Sequence, residues 1–128
     1  MNPAAQNPPM SQEIRIETLR DEWEDHLTER GHKVRVAKGI GDGLESRDAS
    51  GNRFRWLFLA AKAKTKAVNE YERADIEHHL RRAQALNQKV YLVVGFEKPK
   101  PKLVVLPGEA VLRKGTIASS KGGIPWKH

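Results

Sequence analysis

The stretch "RFRWLFLAAKAKTK" (53–66) begins as an apolar strand and ends in Lys62, Lys64 and Lys66, spaced two residues apart. Arg53 and Arg55 open the same stretch. A polyanion tracking along it would meet several positive charges, enough for salt-dependent contacts to phosphate. The same charges also suit a solvated strand end that discourages edge pairing. Elsewhere the chemistry-bearing residues are scattered. His78 and His79 are adjacent, so a helix cannot aim both at one metal, and no histidine pair stands at i,i+4. Glu77 and Arg81 form an ordinary helical i,i+4 pair. "GIGDG" (39–43) lacks the following helix N-terminus that would make a glycine loop a phosphate cradle. No serine or cysteine nucleophile stands beside a base. In "KGGIPWKH", Trp126 lies among lysines, where it could stack on a base or pack into a core.

The chain of 128 residues suits one domain with a single core. With 23 Lys+Arg against 16 Asp+Glu, its net charge of +7 favours a polyanionic partner, nucleic acid ahead of a membrane surface. The absence of cysteine excludes disulfides and thiolate metal sites, and fits a reducing cytoplasm. "MNPAAQNPPM" has neither the basic start nor the apolar run of a signal peptide. No apolar run approaches the roughly 20 residues of a membrane span. The expectation is a soluble cytoplasmic protein.

The elements that would carry these residues follow from periodicity. Residues 1–10 are expected to be a disordered tail, and 11–128 one domain. Ser11 suits an N-cap, Ile16, Leu19, Trp23 and Leu27 recur at helical spacing, and Gly31 suits a C-cap, giving a helix over 11–30. "HKVRVAKG" alternates as a strand with Val34 and Val36 inward. "LESRD" and "RFRWLFLAAK" flank "DASGN", where Asp48 and Gly51 suit a type I turn closed by a left-handed glycine. Residues 66–88 read as a second helix that buries Val68, Tyr71, Ile76, Leu80, Ala83 and Leu86. "VYLVVGF" (90–96) is apolar throughout, as a strand covered on both faces would be. "LVVLP" (103–107) is a further strand, followed by a short segment around "GEAVLRKG". A helix, three strands, a helix and two strands imply an α/β domain, a mixed sheet with a helix on each face.

That order, with "GIGDGLESRDASGNRFRWLFLAAKAK" inside it, resembles the PD-(D/E)xK, restriction-endonuclease-like, nuclease superfamily over about residues 11–107. The resemblance implies an antiparallel three-stranded meander, a helix, and a strand running beside the meander. Asp42 looks like the first motif acid, a metal ligand, and Lys62 like the motif lysine. Glu17 is similar in place to the accessory acid often carried on the first helix. Ala60 stands where the superfamily needs its second acid. Hydrolysis by this route requires carboxylates that hold Mg²⁺, which polarises the phosphate and ionises a bound water. Alanine cannot ligate the ion. Glu70 and Glu72, early in the second helix, could reach back toward Lys62, whereas Glu45 is expected on the opposite sheet face. If Asp48 pairs with Asn52, then Asp42 lies opposite Phe58, and Asp42, Phe58, Ala60 and Lys62 share a face.

The resemblance therefore implies a DNA-binding protein capable of Mg²⁺-dependent phosphodiester hydrolysis, with cutting impaired or lost through Ala60. The alternative is a non-catalytic nucleic-acid-binding or accessory module on the same fold, and a third is a basic interaction protein without nuclease ancestry. Arg53, Arg55, Lys64 and Lys66 are the expected nucleic-acid contacts. DNA is the expected partner, a homodimer is compatible with this reading, and a membrane is not expected.

Overall fold

Helix α1 (Gln12–Glu29) is held by one stripe, Leu19, Trp23 and Leu27, all buried. It stops at Gly31, whose φ of +88° is open to glycine at little steric cost. The Gly31 amide donates to the Thr28 carbonyl and the His32 amide to Leu27, each at 3.0 Å, the paired bonds of a Schellman ending. The chain is seen in a computed structural model that describes residues 12–37, 43–121 and 124–125. Strands β1 (Lys33–Ala37), β2 (Gly43–Arg47) and β3 (Arg53–Ala61) form the expected antiparallel meander.

The β2–β3 turn closes as the sequence predicts. The Asp48 amide donates to Asn52 at 3.0 Å and Gly51, at φ +89°, donates to the Asp48 carbonyl at 3.1 Å. Asp48 Oδ1 also accepts from the amides of Ser50 and Asn52, and Oδ2 from the Asn52 side chain. These bonds, the Asn52 side chain foremost, hold the exposed Asp48 carboxyl below its ordinary value. With the turn fixed, Leu44 lies opposite Trp56 and Glu45 opposite Arg55.

Downstream come β4 (Thr65–Ala67), α2 (Glu70–Leu86), β5 (Lys89–Phe96), β6 (Lys102–Pro107), α3 (Gly108–Lys114), β7 (Thr116–Ala118), a 3-10 turn (Ser119–Lys121) and β8 (Ile124–Pro125). The main sheet has the order β1-β2-β3-β5-β6-β8, parallel between β3 and β5 and antiparallel elsewhere; β4 and β7 pair separately. The central β5 is as buried as its apolar run implies, with Leu92, Val93, Val94 and Phe96 fully enclosed. Alternation divides the core in two. Leu44, Trp56, Phe58, Val93 and Leu103 meet α1, while Leu57, Leu59, Val90, Leu92, Val94 and Phe96 pack with α2 and α3.

Three expectations are corrected. Residues 66–88 are not one helix, because Thr65–Ala67 pair with Thr116–Ala118, and α2 starts only after Asn69. Asn69 and Glu72 cap it reciprocally: Asn69 Oδ1 accepts from the Glu72 amide, and Glu72 Oε1 from the Asn69 amide. Val68 thus packs on the core from outside the helix. Tyr71 is 88% exposed, since it sits five residues before Ile76, about 140° round the helix from the buried stripe. The position sequence reading passed over is His79, which is fully buried with Ile76 and Ala83. Val36 is likewise turned out, 57% exposed on the edge strand β1, whereas Val34 on the same face packs against the α1 cluster.

Candidate functional site

Two places on the sheet carry the residues singled out above, and they lie at opposite ends of β3. At its carboxyl end, Ala60 is buried and lies opposite Gly95 of β5. It shares the α1 side with Trp56 and Phe58, as the strand alternation requires. The strand ends one residue later, where the Ala61 carbonyl accepts from the Glu97 amide at 3.1 Å. Lys62 and Lys64 follow in an exposed bend, and Ser119 anchors that bend by donating its amide to the Lys64 carbonyl at 2.8 Å.

Lys66 differs from its two neighbours in the lysine column. Its Nζ lies 2.9 Å from Glu72 Oε1, and both side chains are largely buried. Glu72 is therefore engaged as a helix cap and an ion-pair partner. Glu70 is exposed in the first turn of α2, and Glu17 is exposed on α1. Asp42 and Trp126 lie outside the described residues. The described part of the β2–β3 register, with Leu44 opposite Trp56, is the one the turn sequence predicts.

The superfamily's Mg²⁺ can be tested against these residues. Position 60 offers a methyl group, and among the described residues no group of three or more His, Asp or Glu side chains could hold a metal ion. The described residues do not fit the ion.

The amino end of β3 holds what sequence reading missed. Arg55 was expected at a nucleic-acid surface, but it is 1% exposed and cannot meet a strand from solvent. Its Nε donates to His79 Nδ1 at 2.8 Å, and its Nη1 donates to Glu45 Oε2 and Gln88 Oε1, both at 2.8 Å. Because His79 Nδ1 accepts, its proton sits on Nε2, which lies 3.7 Å from Asp75 Oδ1. Burial lowers the affinity of Arg55 for its proton and the Glu45 charge restores part of it. The guanidinium stays ionised.

Glu45 is the hub of this network. Oε2 accepts from Arg55 and from Gln88 Nε2 at 2.8 Å, and Oε1 from Arg35 Nε at 2.9 Å. Burial alone would raise its carboxyl, yet the Gln88 hydrogen bond and the charges of Arg55 and Arg35 outweigh it and hold the group below its ordinary value. Around Glu45 opens a cleft of about 260 Å³ lined by Lys33, Arg35, Arg47, Arg53 and Gln88. Arg53 Nη1 is pinned at 3.2 Å by the Leu86 carbonyl at the end of α2. The signal was present: "KVR", "ESR" and "RFR" each place charges at i and i+2, on one face of a strand. The aromatic side chains Phe54, Trp56 and Tyr91 stack together on the other face.

No family model matches the chain, and no curated protein matches it. Among solved structures it is similar to Hjc, a Holliday junction resolvase from the archaeal hyperthermophile Archaeoglobus fulgidus. The TM-score is 0.62 at 14% identity, covering 86% of each chain. With its meander, parallel central strand and helices on both faces, the chain has the restriction-endonuclease-like fold.

Proposed function

We propose that this protein binds DNA on a nuclease-type fold whose Mg²⁺-dependent cutting is impaired or lost at Ala60. The observation that carries the reading is the buried methyl group of Ala60 at the carboxyl end of β3, two residues before the exposed Lys62. The superfamily would need a metal-ligating acid there. Lys62 and Lys64 supply ammonium groups that attract backbone phosphate with no requirement for a particular base. Support comes from the resolvase-like backbone and the net charge of +7. None of the described helices is long and apolar enough to cross a membrane.

The test is a parallel measurement of binding and cutting. Duplex, branched and single-stranded DNA are each incubated with the protein in Mg²⁺ or Mn²⁺, and in chelator. Salt-sensitive binding without cutting is the expected result. Vigorous Mg²⁺-dependent cutting that Lys62→Ala abolishes would overturn the loss of cleavage and show that another acid serves. Absence of DNA binding at low salt would overturn the reading altogether. The same reading places the protein in the cytoplasm and allows a homodimer, which sedimentation of the DNA-free protein would reveal.

A further inference from the structure

We propose that the basic cleft on the α2 side of the meander is a second DNA contact, one that takes backbone phosphates of a duplex. This rests on the DNA-binding reading but uses different residues. The strand register aligns Lys33, Arg47 and Arg53 in one row across β1, β2 and β3. At the usual strand spacing that row spans about 10 Å. The next row along is Arg35, Glu45 and Arg55.

The charge in the cleft is not balanced internally. Among the described residues its one lining carboxylate is Glu45, which is fully used by Arg35, Arg55 and Gln88. Lys33 and Arg47 are exposed and have no hydrogen-bond or ion-pair partner among the described residues. Ordinary surfaces intersperse the two signs; here four cations surround one neutralised anion. Arg53 is held by the Leu86 carbonyl and Arg35 by Glu45, so two of the four are positioned before any ligand arrives. That lowers the ordering cost of binding.

The lining also decides what part of the nucleic acid it reads. None of the described residues that line the cleft is aromatic, so they offer no stacking platform for single-stranded bases. Lys and Arg without such a ring track the phosphate backbone, which a duplex presents in any sequence. The cleft is also remote from Lys62. Arg53 and Ala60 are seven residues apart along an extended strand, about 23 Å, and they face opposite sides of the sheet. Its contribution is thus separable from that of the lysine bend.

The experiment compares Lys33→Ala/Arg47→Ala with Arg81→Ala/Arg113→Ala, a control that removes the same charge from exposed positions on α2 and α3. Duplex affinity is measured from low to moderate salt for two unrelated sequences. The cleft variant is expected to flatten the slope of log K against log salt by about two units, equally for both sequences, with the control near wild type. A wild-type slope in the cleft variant, or an equal change in the control, would overturn the proposal. So would a change confined to one sequence. If truncation unfolds the chain, Lys33→Gln/Arg47→Gln reads the same slope. Wild-type protein without duplex affinity would instead sink the underlying DNA-binding reading, and this proposal with it.

Discussion

Ala60 and Gly95 stand opposite each other on the two parallel central strands, each one residue before its strand ends. Both lie on the α1 side, in line with Phe58 and Val93 of the buried core. Glycine carries no side chain, so a longer residue at 60 meets none at 95. The smallest pair of the central ladder therefore coincides with the position at which the proposed reading expects a motif acid.

Ala60→Glu is expected to supply that acid. Mg²⁺ affinity, read by calorimetry, and cutting of plasmid DNA should rise together, because the added carboxylate serves both. A variant that folds and binds DNA but neither takes up Mg²⁺ nor cuts would show that no metal site was ever completed here.

The lysine column divides in two. Lys62 and Lys64 are exposed, whereas Lys66 is paired with Glu72. Lys62→Ala/Lys64→Ala should flatten the salt slope of DNA binding by up to about one unit per lost phosphate contact. Lys66→Ala should leave the slope near wild type and lower the melting temperature slightly instead. A slope that Lys66→Ala flattens as much per lysine as Lys62→Ala/Lys64→Ala does would put Lys66 on the DNA path as well.

Much of the fold was legible because its signals are local. Ile16, Leu19, Trp23 and Leu27 mark α1, Gly31 ends it, "DASGN" sets the hairpin register, and "VYLVVGF" is apolar throughout, as a covered strand is. What was not legible depended on tertiary partners. Thr65–Ala67 has no strand signal of its own and is extended because Thr116–Ala118 pairs with it. Tyr71 looks like a core residue until Asn69 fixes where α2 starts. Arg55 looks like a surface cation, and Glu45 of β2, His79 of α2 and Gln88 of the connection after it help make its burial tolerable. At the candidate site, the alanine at 60 and the lysine at 62 could be read directly, while the basic cleft needed the register of three strands.

The buried network yields a stability prediction. Removing Glu45 takes from the enclosed Arg55 guanidinium the carboxylate that lies 2.8 Å from its Nη1. Glu45→Ala should therefore cost about 3–5 kcal/mol of unfolding free energy, the range for breaking one partner of a buried pair. Urea unfolding measures it. A loss within the range of an ordinary surface substitution would mean that water or another acceptor replaces the carboxylate.

The same carboxylate should show in the acid limb of stability. Its ordinary value is 4.5, and in the folded protein it lies lower. Burial opposes that shift, but the Gln88 hydrogen bond and the Arg55 and Arg35 charges prevail. Between the two values the unfolded chain binds the proton more readily than the folded one, so acid favours unfolding. The contribution of Glu45 is thus complete above its ordinary value and is lost as pH falls through the folded one. Glu45→Gln keeps the shape and removes the titration, so the stability gap between wild type and variant isolates this one group. Urea unfolding of both at pH 7, 5, 4 and 3 should show a constant gap down to pH 5 and a shrinking one below it. A gap that stays constant to pH 3 would show that Glu45 takes up its proton equally in the folded and unfolded states, and that its partners act through packing and not through charge.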